Sequence, residues 1–132
     1  MMTATASLDT RLTAHSASAL GVFRILTGLM FTMHGTVKLF GWPTGSPAAM
    51  AAWPMWWAGV LEVILGVLVA IGWYARAAAF VASGMMAVAY FWMHFPAGFW
   101  PVVNGGETAV LYCFAFLLFV FHGPGALRVS RR

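Results

Sequence analysis

His34, Lys38 and Glu62 are titratable side chains inside stretches apolar enough to span a bilayer, and His94 and Glu107 stand at the ends of two more. An ionisable group facing hydrocarbon costs roughly a few kcal/mol, so each one is a functional candidate with a partner to be found. A carboxylate such as Glu62 stays ionised in such surroundings only beside a cation, and Lys38, Arg24 and a protonated His34 are the candidates. Two readings stand side by side. In one, Glu62 belongs to a structural ion pair that fixes how two helices dock. In the other, His34, Lys38 and Glu62 handle protons, because imidazole titrates near neutrality and suits proton transfer coupled to electron transfer on a lipid-soluble carrier such as a quinone.

The chain that must position these groups is 132 residues long, 62% hydrophobic and 8% charged, with seven Trp, eleven Phe and nine Met. Soluble domains carry about 25% charged residues. A single soluble core of this size cannot hide so much apolar surface, which argues for one small integral membrane unit. Four apolar segments, at about 19–40, 54–73, 75–95 and 106–123, each approach the roughly 20 residues a helix needs to cross about 30 Å of hydrocarbon. The breaks between them are short and rich in Gly and Pro. Antiparallel neighbours follow, and the expected fold is all-α, an integral membrane antiparallel four-helix bundle occupying residues 19–125. Residues 1–18 read as a flexible tail, mobile or lying on the surface, and residues 126–132 as a basic tail. Arg11 before an apolar run raises a secretory signal as an alternative, but the run is long, contains His34 and Lys38, and ends without a small-residue cleavage site.

With four spans, both termini and the turn after the second helix share one side. That side collects Arg11, Arg24, Arg76, Arg128, Arg131 and Arg132, and the other keeps Lys38. The excess of basic residues marks the cytoplasmic side, so both termini are expected in the cytoplasm and the protein in a bacterial inner membrane. The net charge of +4 suits anionic lipid and calls for no nucleic-acid partner. At about 1.5 Å of rise per residue, Lys38, His94 and Glu107 fall at the outer level, His34 one turn below, and Glu62 near the bilayer middle. Helical periodicity places Arg24, Phe31, His34 and Lys38 on one face of the first helix. It places Ser83, Tyr90 and His94 with Arg76 on one face of the third, and Gly59, Glu62 and Gly66 on one face of the second. Small residues there let a neighbouring backbone come close. His34, Lys38, Glu62, His94 and Glu107 are thus expected as one cluster in the outer half, with Arg24 and Arg76 toward the inner side.

The run His34-Gly35-Thr36-Val37-Lys38-Leu39-Phe40-Gly41, then Gly59-Val60-Leu61-Glu62, Ala75-Arg76-Ala77-Ala78, His94 with Gly98-Phe99-Trp100-Pro101, Asn104-Gly105-Gly106-Glu107 and Gly123-Pro124-Gly125, resembles the DoxX family of small bacterial four-helix membrane proteins. The motifs occur in order across about residues 20–127. The resemblance implies a link to thiosulfate:quinone oxidoreductases or to thiol and redox homeostasis, and it carries over His34, Lys38, Glu62, Arg76, His94, Asn104 and Glu107. One departure is visible: an acidic residue usually follows the Gly-Pro-Gly turn, whereas this chain runs Ala126-Leu127-Arg128-Val129-Ser130-Arg131-Arg132.

Asn104-Gly105-Gly106-Glu107 stands where the fourth helix begins, so Asn104 or Gly105 reads as a cap and Glu107 as a first-turn acid. The same positive helix end, near Lys38 and two histidines, also suits a small anion such as a sulfur oxyanion. His94, Asn104, Glu107 and Arg24 are therefore the substrate-binding candidates. The tryptophans at 42, 53, 56, 57, 92 and 100 belong to an outer aromatic belt, some of them as walls of a carrier pocket. Cys113 has no second cysteine, which argues against a dithiol mechanism. No intrinsic cofactor is expected: a bare pair of histidines is weak ground for haem, and Lys38 competes with any metal among His34, His94, Glu62 and Glu107.

Three functions fit these residues. The preferred one is a membrane subunit of a quinone-linked redox system of the sulfur or thiol oxidation class, accessory to a partner that carries the redox centre. The second is a small-anion or thiol transporter or channel, and the third a non-catalytic anchor or assembly factor. Membrane lipids and either another redox protein or a second copy of the chain are the partners that follow.

Overall fold

The computed structural model describes residues 4–130, and among these there are six helices and no strand. They are α1 (Ala4–Ala14), α2 (Ser16–Phe40), α3 (Met55–Ile71), α4 (Ala75–Ala89), α5 (Pro101–Asn104) and α6 (Glu107–His122). Beyond Ala89 the chain continues through a π turn, Tyr90–His94, and a 3-10 turn, Phe95–Ala97. The four apolar segments expected from sequence correspond to α2, α3, α4 with its two turns, and α6. Residues 4–14, expected as a tail, are helical instead. Their run of Ala, Thr, Leu and Arg contains no Gly or Pro to interrupt a helix, and every side chain from Leu8 to Ala14 is exposed. Arg131 and Arg132 of the basic tail, and residues 1–3, lie outside the described residues.

Helix ends follow from identifiable residues. α2 stops at Gly41, whose φ of 68° lets its N–H turn back to the Val37 carbonyl, a conformation that costs a glycine nothing. Pro96 has no N–H to offer the Trp92 carbonyl, so the helical ladder that began in α4 gives way to the 3-10 turn there.

α2 packs along α3, α4 along α6, and α3 against α4. The first contact is close because glycines face each other. A Cβ placed on Gly28 would lie 2.5 Å from the Ala70 nitrogen, and one on Gly35 2.6 Å from the Gly59 carbonyl. The hydroxyls of Thr27 and Thr32 on α2 make no demand on a neighbour, donating to carbonyls four residues back, at 2.7 and 2.8 Å. Rings close the core between α2 and α6, with Phe31 4.9 Å from Phe116 and 5.4 Å from Tyr112. Ser83 ties α4 to α6, donating to the Cys113 carbonyl at 2.9 Å and lying 3.4 Å from the Cys113 sulfur.

Ser16–Phe40 and Ala75–Ala97 are long and apolar enough to cross a membrane, and α3 and α6 are apolar but shorter. Only 28% and 33% of the most apolar windows of the two longer stretches is buried. Core helices of soluble proteins are mostly covered, whereas here Leu26, Leu29, Met30, Ile64, Phe80 and Phe114 point outward.

The end of the molecule that holds the α3–α4 turn, hereafter the turn end, is fastened by Arg24. This side chain is 0% exposed and donates to the carbonyls of Pro124, Ala126 (3.0 Å), Leu127 (2.6 Å) and Ala70 (3.4 Å). The segment after α6 is thereby folded back onto α2, where the Ala126 N–H reaches the Ala17 carbonyl at 2.9 Å. A hydrogen bond from a charged donor contributes about 1.5–3 kcal/mol. Arg24→Gln is therefore expected to release residues 124–127, with amide exchange at Ala126 at least roughly tenfold faster by mass spectrometry. Unchanged protection there would show that backbone contacts alone hold the segment.

Candidate functional site

The opposite end, where the α2–α3 loop and the Phe95–Gly106 connection lie, holds a cavity of about 690 Å³. All four long helices contribute to it. α3 and α4 are joined by a three-residue turn, and the residues they give to the cavity, Ala58 and Leu61 on one and Met85 and Ala89 on the other, come from the halves remote from that turn. The cavity is thus a separation of helices that are held together at the other end.

Its polar wall is built from the residues whose chemistry stood out. Lys38, two residues before the end of α2, donates to both oxygens of Glu62 at 2.6 and 2.7 Å. Gly59 makes the meeting geometrically feasible, because a Cβ there would stand 2.9 Å from the Lys38 Cβ. Glu62 is 3% exposed while the Lys38 side chain is 20% exposed, so the carboxylate is the deeper partner. It is the one salt bridge found among the described residues. His34 lies one turn below Lys38 on α2, lines the cavity, and meets the Tyr112 ring edge-on at 5.7 Å. His94 reaches the cavity from the π turn, its Nδ1 3.2 Å from the Asn104 carbonyl. Tyr90 and His94 open and close the π turn on one side of the chain, their rings stacked 6.5 Å apart, with Tyr90 buried in the core and His94 lining the cavity.

The apolar wall consists of Trp53, Trp57 and Trp92 with Met55, Met85 and Met93. Leu61 on α3, Val88 on α4 and Trp92 in the π turn all line the cavity and are exposed, so its mouth opens sideways along the α3–α4 seam. Aromatic and thioether walls around a few convergent polar groups are the usual make-up of a small-molecule site. Among the described residues, no group of three or more His, Cys, Asp or Glu is close enough to hold a metal ion.

Not every candidate joins the cluster. Glu107 opens α6 at the same level but is exposed and outside the cavity. The buried face of α6 is Ala109, Tyr112, Phe116 and Phe119, and Glu107, two residues before Ala109, falls about 200° round the helix from it. Arg24 is separated from Lys38 by fourteen residues of α2, about 21 Å, and its donors are taken by carbonyls at the turn end. It neither faces Glu62 nor lines this cavity. Asn104 braces the wall from behind: its amide donates to the Gly98 carbonyl (2.8 Å) and the Tyr90 hydroxyl (3.2 Å), while its Oδ1 accepts the Gly106 N–H at 2.8 Å. Tyr90 in turn donates to the Phe99 carbonyl. The cap residue of α6 is Gly106, one step beyond the two residues expected in that role.

Tyr112 is the site residue that sequence reasoning missed. It is 8% exposed, lines the cavity beside His34, and its hydroxyl has no hydrogen-bond partner among the described residues. The available signal was its place on α6 one helical turn after Thr108 and Ala109, facing inward. A buried hydroxyl without a partner contributes nothing to offset its desolvation. Tyr112→Phe is therefore expected to leave stability unchanged or raise it by up to about 1 kcal/mol, read from the unfolding midpoint in detergent. A loss of more than that would mean the hydroxyl is bonded.

Comparison with known proteins agrees with the motifs. The family model of DoxX matches residues 19–95. An uncharacterized protein of Haemophilus influenzae is 40% identical over 119 residues, covering 86% of this chain and 89% of the relative. No solved structure matches.

Proposed function

Since the chain belongs to the DoxX family of membrane proteins, we propose that it is a four-helix integral membrane unit whose cavity takes the polar head of a lipid-soluble carrier, such as a quinone, beside a partner that holds the redox centre. The observation that carries this reading is the cavity's two-sided chemistry: a Lys38–Glu62 pair, His34, His94 and the Tyr112 hydroxyl at one wall, Trp and Met at the other, and a mouth toward the apolar flank of α3 and α4. A carrier dissolved in the bilayer would enter sideways, place its ring among Trp53, Trp57 and Trp92, and bring its carbonyl oxygens to Tyr112 and Lys38. Donors already aimed into a water-poor space need little reorganisation when an acceptor arrives. His34, which makes no hydrogen bond among the described residues, is the group free to exchange protons with such a carrier.

The exposed apolar faces of the long helices support the spanning arrangement, and basic residues support its orientation. Arg11, Arg24, Arg76 and Arg128 all belong to the turn end or to the segments leading to it, which would place both termini in the cytoplasm and the cavity in the outer half of the inner membrane.

Purification in mild detergent followed by solvent extraction tests the reading. Close to one quinone per chain is expected, falling several-fold in His34→Ala, whose exposed side chain can be removed without disturbing the Lys38–Glu62 pair. Tyr112→Phe should lower the yield of bound quinone as well. An extract of the wild-type protein with no quinone, together with flux of thiosulfate or protons in proteoliposomes without a partner, would favour a transporter instead.

A further inference from the structure

A second cavity, of about 620 Å³, lies at the turn end. Its walls are the start of α2 at Ala17, the start of α4 at Arg76, the end of α6 at His122, and the returning segment with Gly125 and Arg128. Among the described residues, no carboxylate lines it. Arg76, His122 and Arg128 are exposed and have no salt-bridge partner among the described residues.

Each arginine is positioned by one end of its guanidinium and keeps the rest. Arg76 Nη1 donates to the carbonyls of Val120 (2.6 Å) and Phe121 (3.2 Å), neutralising the negative end of α6. Arg128 Nη1 donates to the Gly125 carbonyl. The Nη2 and Nε groups of both make no hydrogen bond among the described residues, and both side chains line the one cavity. Arg24 adds a third guanidinium behind them, since a Cβ on Gly72 would be 2.6 Å from the Arg128 Cβ and 3.2 Å from the Arg24 Cζ. The first turns of α2 and α4 bring the positive ends of two helix dipoles to the same place. The contacts of these three guanidiniums are to neutral carbonyls and none is to a carboxylate among the described residues, so an anion would complete them.

We propose that this cavity binds a phosphate group, supplied by the head of an anionic phospholipid of the inner leaflet. Guanidinium forks match phosphate oxygens in pairs, and basic pockets between helices at the cytoplasmic face suit such heads. The proposal rests on the spanning arrangement but not on the carrier at the opposite end. The lipid's chains would lie along the exposed apolar flanks, and its phosphate would tie the segment after α6 to α4.

The test measures binding of fluorescent phosphatidylglycerol and phosphatidylcholine of equal chain length to the full chain in neutral detergent. Phosphatidylglycerol should bind at least roughly tenfold more tightly. The double variant H122Q/R128Q should lose most of that preference, while R11Q/H15Q, which removes the same two groups from the exposed N-terminal part, should retain it. Competition by millimolar inorganic phosphate would show that the phosphate itself is recognised and would point to a free anion as the source; displacement only by phosphatidylglycerol would assign the lipid. Equal binding of the two lipids, or equal loss in both double variants, would overturn the proposal. Should H122Q/R128Q fail to fold, photo-crosslinking of phosphatidylglycerol to the wild-type chain decides: labelling within residues 122–128 supports the site, and labelling confined elsewhere refutes it.

Discussion

Lys38→Met, with Glu62 left in place, is expected to destabilise the protein by about 3–5 kcal/mol in detergent unfolding, enough to remove most assembled protein. Glu62 is 3% exposed and receives both of its short hydrogen bonds from this one ammonium, so the variant leaves a carboxylate buried without compensation. The reverse variant should behave differently. In Glu62→Gln the lysine, already 20% exposed at the end of α2, can turn its head toward the aqueous end, and a loss of about 1–2 kcal/mol is expected. The double variant K38M/E62M should recover most of the stability, because two thioether side chains of similar volume replace a pair whose desolvation offsets much of its attraction. If Lys38→Met is as stable as the wild type, the pair does not hold α2 against α3. If the double variant folds yet retains no quinone, the pair serves binding in addition to the fold.

Gly28→Leu is expected to cost at least about 3 kcal/mol and to separate α2 from α3. The Cβ alone would come 2.5 Å from the Ala70 nitrogen and 2.7 Å from the Gly66 carbonyl, and those neighbours are backbone that cannot swing aside. Gly35→Leu should act likewise against Gly59 and Val63. Gly84 on α4 provides the contrast: nothing lies within 4 Å of a Cβ there. Gly84→Ala should therefore stabilise by about 0.5–1 kcal/mol through helix propensity alone. Thermal unfolding of the three variants under one detergent condition checks the set, and a harmless Gly28→Leu would show that the two backbones are not in direct contact.

The apolar segments were readable because hydropathy and Gly/Pro punctuation report burial and turns directly. Lys38 with Glu62 was readable as a candidate pair because two ionised groups in apolar helices leave few choices of partner. Arg24, expected away from the outer cluster, lies at the far end of α2 from Lys38, and that depth is incompatible with pairing to Glu62 or with joining His94 and Asn104 as a substrate-binding group. Its acceptors are carbonyls of residues 124–127, which become neighbours only when the chain folds back. Glu107 was set in the cluster by level alone, and its face depends on α6 beginning at 107 with Ala109 turned inward. The glycines at 21, 28 and 35 of α2, spaced by seven, were a legible stripe that went unread beside Gly59 and Gly66. Helix α1 has little hydrophobic periodicity to announce it, and the π turn depends on local packing around Tyr90 and Asn104 rather than on any motif.

Whether the cavity is a carrier site built on Lys38, Glu62, His34 and Tyr112 is decided by titrating a short-chain quinone into the protein in quinone-free nanodiscs. Trp53, Trp57 and Trp92 line the cavity and report occupancy through quenching of their fluorescence. Saturable quenching with one site per chain is expected, shifted at least roughly tenfold to higher concentration in the folded K38M/E62M variant, as loss of interactions worth about 1.4 kcal/mol or more requires. Linear quenching without saturation, identical in wild type and variant, would contradict it.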